Sequence, residues 1–156
     1  MNESEVGDYI MKTFPKVETT TAYGYNMFFY RSDRKLSFAT LISSDYDYDH
    51  ISNLNRPGVF RLNIGVSKQT FQLLFGTAEV NVKDYDYTAL DVIMPHPEYA
   101  QYHFICVLSP SEETFEKTRS LLAEAYDIAA RRYASQNKSN ETGTNSEFLP
   151  TKNGAP

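Results

Sequence analysis

The chain has 156 residues, enough for one globular domain, and 41% apolar with 22% charged residues is typical of a folded protein rather than a disordered one. A formal charge of −5 weighs against nonspecific nucleic-acid binding, whose affinity comes mainly from Lys and Arg contacts to phosphates. The single cysteine excludes an intrachain disulfide. The N-terminal segment is acidic and the chain has no long apolar run, which predicts neither export nor a membrane span. We therefore expect a cytoplasmic protein.

Three short helices are predicted in the first two thirds of the chain. Each is short and is followed by a proline or a glycine that ends it. Their ranges are 3–14, 67–75 and 87–94, followed by Pro15, Gly76 and Pro95.

A longer helix is predicted over 110–133, with Ser109 as its cap and Glu112 completing a capping box. Its apolar residues recur every three or four positions, which gives one stripe to pack on a sheet. The polar segment 135–156 is rich in Ser, Asn, Thr and Gly, and is predicted to be a disordered tail after a single domain at 1–134.

β-branched and aromatic runs predict strands over 26–30, 36–43, 58–64 and 102–108. In the third run, Phe60, Leu62 and Ile64 alternate with Val59, Arg61 and Asn63, so the two sets belong to opposite faces. The strands follow one another with short connections. We therefore predict an α+β fold, a mostly antiparallel sheet with helices packed on one side.

The stretch "DYDYDHIS" at 45–52 has acidic residues at alternate positions, as a metal loop could. A calcium loop of the EF-hand type needs Gly at its sixth position and Glu at its twelfth, and these hold His50 and Arg56. Two interpretations remain open. The aspartates, Asp45 among them, hydrogen-bond local backbone in turns, or the loop contacts a weakly bound metal or a substrate.

The stretch "DVIMPHPEY" presents His96 between two prolines, in a stiff backbone geometry. With His103 and Asp91, it could form a site with two imidazoles and a carboxylate, and Asp45 or Asp49 could then act as general base. The alternative, which we favour, is a rigid turn whose histidine hydrogen-bonds a backbone carbonyl, with His103 on the exposed side of its strand.

Arg61 and Asn63 share one face of their predicted strand and offer planar groups with several donors, suited to carboxylate, phosphate or amide recognition. They could form a ligand platform. They could equally lie on a solvated face, with Arg56 and Arg61 paired to the nearby aspartates.

A third candidate is the basic loop between the first two predicted strands. It contains Arg31, Arg34 and Lys35, which with Arg56 and Arg61 would be the DNA contacts if nucleic acid were a partner. Cys106 lies in an apolar strand and is predicted to be a buried small hydrophobe.

Segments "RPGVFRLNIGVS" and "MPHPEY", with "FFYRSDRKLSFATL" before them and "AEAYDIAARR" after, resemble the bacterial domain-of-unknown-function family 6194 over about residues 1–134. More remotely, the layout is similar to the YjbR/MmcQ-like (CyaY-like) proteins. That resemblance implies a compact α+β fold and, for some members, a winged DNA-binding role.

No complete catalytic constellation is present, so we favour a non-enzymatic module that binds a small acidic ligand or a protein partner. Its expected contact residues are Arg61, Asn63, His96, Asp45 and Arg56. A metal-dependent enzyme using the histidine cluster and a DNA-binding protein are the alternatives. The sequence names no cofactor.

Overall fold

A computed structural model describes residues 1–33 and 35–141. In this part of the chain, six strands form one sheet in which all hydrogen-bonded neighbours are antiparallel, in the order β1-β2-β3-β4-β6-β5. The strands are β1 (Val17–Ala22), β2 (Tyr25–Tyr30), β3 (Ala39–Ile42), β4 (Arg61–Gly65), β5 (Met94–Pro95) and β6 (Phe104–Leu108). The α+β prediction is confirmed. The two edge strands, β1 and β5, were not predicted.

Three α-helices accompany the sheet within the described residues: α1 (Glu3–Thr13), α2 (Lys68–Phe75) and α3 (Glu112–Glu141). The predictions for α1 and α2 are confirmed. Asn2 and Glu5 cap α1 reciprocally, and Ser67 accepts the Thr70 N–H at the start of α2. Gly76 follows α2 with φ of 89°, a conformation that other residues rarely adopt.

The helix predicted over 87–94 is wrong. That segment runs from a turn into β5, and Asp91 has φ of 66°, outside the right-handed helical region. Pro95 also disfavours helical backbone in the residue before it. The Asp91 N–H donates to the Leu108 carbonyl, so this segment bonds to the end of β6 instead of to itself.

The long helix α3 begins later and ends later than predicted. Ser111, not Ser109, accepts the Thr114 N–H at its start, because Ser109 instead accepts the Phe60 N–H from beside β4. At its other end α3 continues to Glu141, through the first residues of the segment predicted as a tail. Residues 142–156 lie outside the described part, so the prediction of disorder there remains a prediction.

The two faces of the sheet are covered differently. On one face, the strands pack against α1, α2 and α3 in an apolar cluster that includes Leu62, Ile64 and Phe115, each with 0% exposure. This confirms the alternation predicted for β4, since Phe60 joins the same cluster. We call this side the helix face.

The opposite side, which we call the loop face, is covered by the connections 43–60 and 80–93 rather than by helices. Leu54 and Tyr87 from these loops pack there against sheet residues such as Met27 and Cys106. Arg61 and Asn63 also belong to this side, and both have 0% exposure. The loop face therefore combines apolar packing with buried polar groups.

Candidate functional site

Arg61 is the centre of a buried polar network on the loop face. Its guanidinium donates to both carboxylate oxygens of Asp49, at 3.1 and 2.6 Å. It also donates to the Asn63 side-chain oxygen at 3.0 Å and to the Ser52 hydroxyl at 3.1 Å. This two-point pairing is the strong form of an arginine–carboxylate contact. Arg61 therefore pairs with an aspartate of the acidic loop (residues 45–52), as one interpretation of the sequence expected. The face is buried, however, rather than solvated.

Two further residues extend the network across the sheet. The Tyr25 hydroxyl donates to Asp49, and the Asn63 amide donates to the Thr40 hydroxyl at 2.9 Å. Thr40 and Asn63 face each other in the register of β3 and β4. The network therefore joins β2, β3 and β4 to the loop that contains Asp49.

The pKa values follow from this pairing. Burial alone would raise the pKa of Asp49, but the hydrogen bonds and charge of Arg61, with the Tyr25 hydroxyl, bring it below its usual range. Burial, and then the hydrogen bond to Asp49, raise the pKa of Tyr25. Asp49 is therefore an ionised structural group at physiological pH, whereas a general base works best with a pKa near the operating pH.

The three aspartates of the acidic loop divide into two roles. Asp45 accepts the Leu54 N–H at 2.8 Å while its own N–H donates to Asn55 at 3.0 Å, and Asp49 is held by Arg61. Between them, Asp47 is exposed and has φ of 41° in a tight turn. The outer aspartates fix the loop, and the middle one lies at its tip.

The same turn displays a tyrosine. Tyr46 and Asp49 exchange two backbone hydrogen bonds, at 3.0 and 2.6 Å, which close a four-residue turn. Tyr48, inside this turn, is 95% exposed. The ring of Tyr46 lies against Gly24 in the β1–β2 turn, so the loop also contacts the end of the sheet.

His96, between its two prolines, is buried with 1% exposure. Its Nδ1 atom accepts the Glu98 and Tyr99 N–H groups, both at 3.0 Å. The histidine does bond to the backbone of a turn, but the predicted bond to a backbone carbonyl is wrong, because Nδ1 accepts N–H groups instead. An accepting Nδ1 requires the proton on Nε2. In the described residues that atom has no hydrogen-bond partner.

Burial lowers the pKa of His96 to about 3, and the charge of Arg61 adds to this effect while that of Asp49 opposes it. His96 therefore lies near enough to the Arg61–Asp49 pair to sense both charges. It is a neutral imidazole at physiological pH.

The structure does not bring the three predicted metal ligands together. The Asp91 carboxylate accepts the Ser111 N–H at 2.7 Å at the start of α3, which lowers its pKa. His103 precedes β6 in a left-handed conformation, with its ring against Phe71. In residues 1–33 and 35–141, no group of three or more His, Cys, Asp or Glu side chains could hold a metal ion.

Arg56 was expected at the ligand site or paired to an aspartate of the loop. It instead donates to three backbone carbonyls at 2.8 to 3.0 Å, those of Asn53, Ser52 and Thr88. It therefore joins the two loops that cover the loop face. Cys106 is buried on the same face, as predicted, and burial raises the pKa of its thiol to about 12.

The basic loop between β2 and β3 is partly engaged with α3. The guanidinium of Arg31 lies 5.5 Å from the Tyr30 ring and 5.7 Å from the Tyr133 ring. Asp33, in the same loop, pairs with Arg132 at 3.0 Å. Lys35 is exposed, and Arg34 lies outside the described residues.

Tyr25, Ser52 and Thr40 complete the network, and none was singled out from the sequence. A signal for one of them existed. Thr40 lies within the predicted strand 36–43 between Ala39 and Leu41, at a position where alternation places a polar side chain on the loop face.

No described helix is both long enough and apolar enough to cross a membrane. The fold and the site define a class: an α+β protein with one antiparallel sheet, helices on one face and a buried arginine network under loops on the other.

Residues 1–138 match the model of a family described as "Family of unknown function (DUF6194)", and the chain belongs to this family. The resemblance to family 6194 noted from the sequence is confirmed. No curated protein and no solved structure matches the chain.

Proposed function

We propose that this protein is a non-enzymatic module that binds a protein partner through the turn at residues 46–49. The observation that supports this most directly is the contrast within the turn: Tyr48 is 95% exposed, whereas Asp49, the next residue, is fixed to the buried Arg61. A large side chain is thus displayed on a rigid support.

Rigidity matters because ordering a flexible loop on binding costs free energy, and a loop that is already ordered avoids this cost. Asp45 and Asp49 fix the two ends of the turn. Tyrosine is enriched among the residues that dominate binding energy at protein interfaces. Tyr48 is therefore the expected anchor.

The chemistry of the tip indicates the kind of partner. Asp47 is exposed beside Tyr48, and His50 and Ile51 follow on the exposed side of the loop. An aromatic ring next to a carboxylate suits a Lys or Arg side chain, which can contact both. The chain carries a formal charge of −5, which favours approach of a basic surface.

Of the two partners considered from the sequence, a protein is favoured over a small acidic ligand. The donors of Arg61 that would hold a carboxylate already hold Asp49, and the side chain has 0% exposure. An acidic ligand would have to displace Asp49 and enter beneath the loop. Binding at the exposed tip requires neither step.

The test uses a library of displayed peptides rich in Lys and Arg, selected against the full-length protein. Peptides selected by the wild type should bind the Tyr48→Ala variant at least about tenfold more weakly, the loss expected of an interface anchor. Tyr102→Ala is the matched control, since Tyr102 is 56% exposed on another part of the surface.

The proposal also predicts the effect of charge. Binding of the selected peptides should weaken with added salt, and Asp47→Asn should reduce it further. Peptides that bind the wild type and the Tyr48→Ala protein equally well would contradict the proposal, as would a selection that yields no binding peptide.

We retain three finer predictions as proposals: a cytoplasmic bacterial protein, a remote relationship to YjbR/MmcQ-like proteins, and no role in nucleic-acid binding. The layout of one antiparallel sheet with α1 and α3 packed on one face supports the second. The acidic formal charge and the stacking of Arg31 on tyrosine rings support the third.

A further inference from the structure

Strand β1 lies at one edge of the sheet and pairs with β2 over its whole length, from Val17 to Ala22, without a bulge. The four central residues of the strand are exposed. Within the described residues, no strand pairs with its other side. The opposite edge is different, because β5 has two residues and ends at Pro95.

Alternate residues of β1 turn their backbone groups away from β2. Ala22 and Tyr25 flank the two-residue turn formed by Tyr23 and Gly24, whose φ angles are 55° and 80°. In such a hairpin the flanking pair is hydrogen-bonded and the bonds then recur at every second residue. The even-numbered residues of β1 therefore bond to β2.

Two observed bonds agree with this alternation. The Arg31 N–H donates to the Lys16 carbonyl at 2.7 Å, and the Phe28 carbonyl, opposite Thr19, accepts from Phe38 on its other side. The N–H and C=O groups of Val17, Thr19 and Thr21 consequently point outward. They form a template for one more antiparallel strand.

Sheet edges are usually protected by proline, a bulge, a very short strand or several charges. The sequence of β1, VETTTA, has no proline and one charged residue. Its three threonines have high β-propensity. The edge is thus built to pair rather than to resist pairing.

The two ends of β1 differ in what they expose. At the end of the strand, Tyr23 is 67% exposed. At the beginning there is a surface groove, lined by Lys16, Val17, Glu18, Arg31, Ser32 and Tyr133. The groove provides two cations and an aromatic ring, which are suitable contacts for a tyrosine ring.

We propose that the edge of β1 is the dimerisation surface, and that its occupant is β1 of a second copy of this chain. A two-fold axis reverses the second strand, so the protruding end of each copy meets the grooved end of the other. A strand from an unrelated protein would have no such reason to fit both ends.

The outward groups fix the register to a few choices, because outward residues must face outward residues. With the axis at Thr20, Thr19 faces Thr21 of the second copy and Tyr23 faces Val17, beside the groove. An axis at Glu18 would place two carboxylates opposite each other, which is unfavourable. An axis at Thr19 would place Tyr23 beyond the start of β1 in the second copy, where it has no strand residue to face. We therefore assign the axis to Thr20.

This surface uses residues other than those of the turn proposed to bind a partner, and it goes beyond that proposed function. A six-residue strand pair and two tyrosines make an interface at the small end of the usual size range. Association should therefore depend on protein concentration.

The first experiment combines sedimentation equilibrium of the full chain with oxidative cross-linking of the Thr20→Cys variant. Cys106 has 0% exposure, so the introduced thiol is the accessible one. Residues that face each other across non-hydrogen-bonded positions lie close enough for a disulfide. We expect a dimer at high concentration and a disulfide-linked dimer of Thr20→Cys. We expect none of Leu73→Cys, whose position is 86% exposed on α2, the helix that packs by Phe71 against His103 beside β6.

A second pair of variants distinguishes loss of the dimer from loss of folding. Thr19→Pro removes an outward N–H and should yield a folded monomer, while Thr19→Val keeps the N–H and should dimerise as the wild type does. A wild type that stays monomeric, a Thr20→Cys protein that does not cross-link, or a Thr19→Pro protein that still dimerises would each overturn the proposal. Each of these failures would leave the expected role of Tyr48 unaffected.

Discussion

Arg61 and Leu62 are adjacent in β4, both have 0% exposure, and they lie on opposite faces of one sheet. Leu62 belongs to the apolar cluster of the helix face. Arg61 lies on the loop face, where an ion pair and hydrogen bonds with Asp49, Ser52 and Asn63 satisfy it. One sheet thus has two cores of different chemistry.

The difference between the two faces shows what each contributes to the stability and the geometry of the fold. Burial of apolar surface stabilises the helix face by roughly 25 cal/mol per Å² and tolerates a range of shapes. A buried ion pair adds little net stability, because desolvation offsets most of its attraction, but it requires one geometry. The loop face therefore fixes where its loop lies, and with it the position of Tyr48.

The largest expected effect comes from separating the buried pair. Asp49→Ala leaves the Arg61 charge unpaired in the interior, so we expect a loss of about 3–5 kcal/mol in the free energy of unfolding. Urea denaturation measures it. Adding Arg61→Met should recover part of this loss, and a double variant that shows the sum of two full losses would mean that the residues act independently.

On the helix face, Leu62→Ala should cost about 2–5 kcal/mol through lost burial and the cavity that remains. The conformation of the loop that contains Asp49 should not change in the Leu62→Ala variant. Binding at Tyr48, measured per folded molecule, should equal that of the wild type, whereas the Asp49→Ala protein should bind more weakly. Equal weakening by both substitutions would show that the two faces are not separate.

The two faces should also differ in their response to acid. The pKa of His96 is about 3 in the folded chain against 6.5 for a free histidine. Between these values the unfolded chain binds the proton and the folded chain does not, so stability falls as pH decreases. This one group contributes a slope of up to about 1.4 kcal/mol per pH unit.

His96→Asn tests the slope with little change in structure, since its side-chain oxygen can accept the Glu98 and Tyr99 N–H groups in place of Nδ1. Its stability should depend less on pH between about 6.5 and 4.5 than that of the wild type. Asp49 acts below this window, because its pKa is lowered from 3.8 and its stabilisation is lost only as the pH falls below that value. Parallel profiles for the two proteins would contradict this account of His96.

The smallest effect on stability is expected at the tip of the loop. Tyr48 is 95% exposed, so Tyr48→Ala should change the free energy of unfolding by less than about 0.5 kcal/mol. Thermal unfolding monitored by circular dichroism tests this. A loss of several degrees would mean that Tyr48 is part of the folded core rather than a displayed group.

The sequence predicts the helix face better than the loop face for a physical reason. The alternation of Phe60, Leu62 and Ile64 and the stripe of α3 are local periodic patterns, and the structure places both in the helix-face cluster. The contact of Arg61 with Asp49 joins residues on separate elements, and no local pattern specifies which of the nearby aspartates is the partner.

The errors have the same origin. The segment 87–94 was predicted as a helix, yet hydrogen bonds to distant residues hold it in another conformation. The Asp91 N–H donates to the Leu108 carbonyl, and the Asp91 carboxylate accepts the Ser111 N–H. Strand β1 contains mostly polar residues, and its pairing with β2 depends on the turn at Tyr23 and Gly24. In both cases a distant or neighbouring element, not the segment itself, decides the structure.

The central claim is that Asp49 fixes the acidic loop to the buried Arg61 and so holds the turn that displays Tyr48. Amide hydrogen exchange of residues 44–55 in the wild type and in Asp49→Asn tests it most directly. We expect the Asp49 and Leu54 N–H groups, which donate to Tyr46 and Asp45, to be protected in the wild type and to exchange much faster in the variant, with α1 and α3 unchanged. Rapid exchange of this loop in the wild-type protein, or equal protection in both proteins, would contradict the claim.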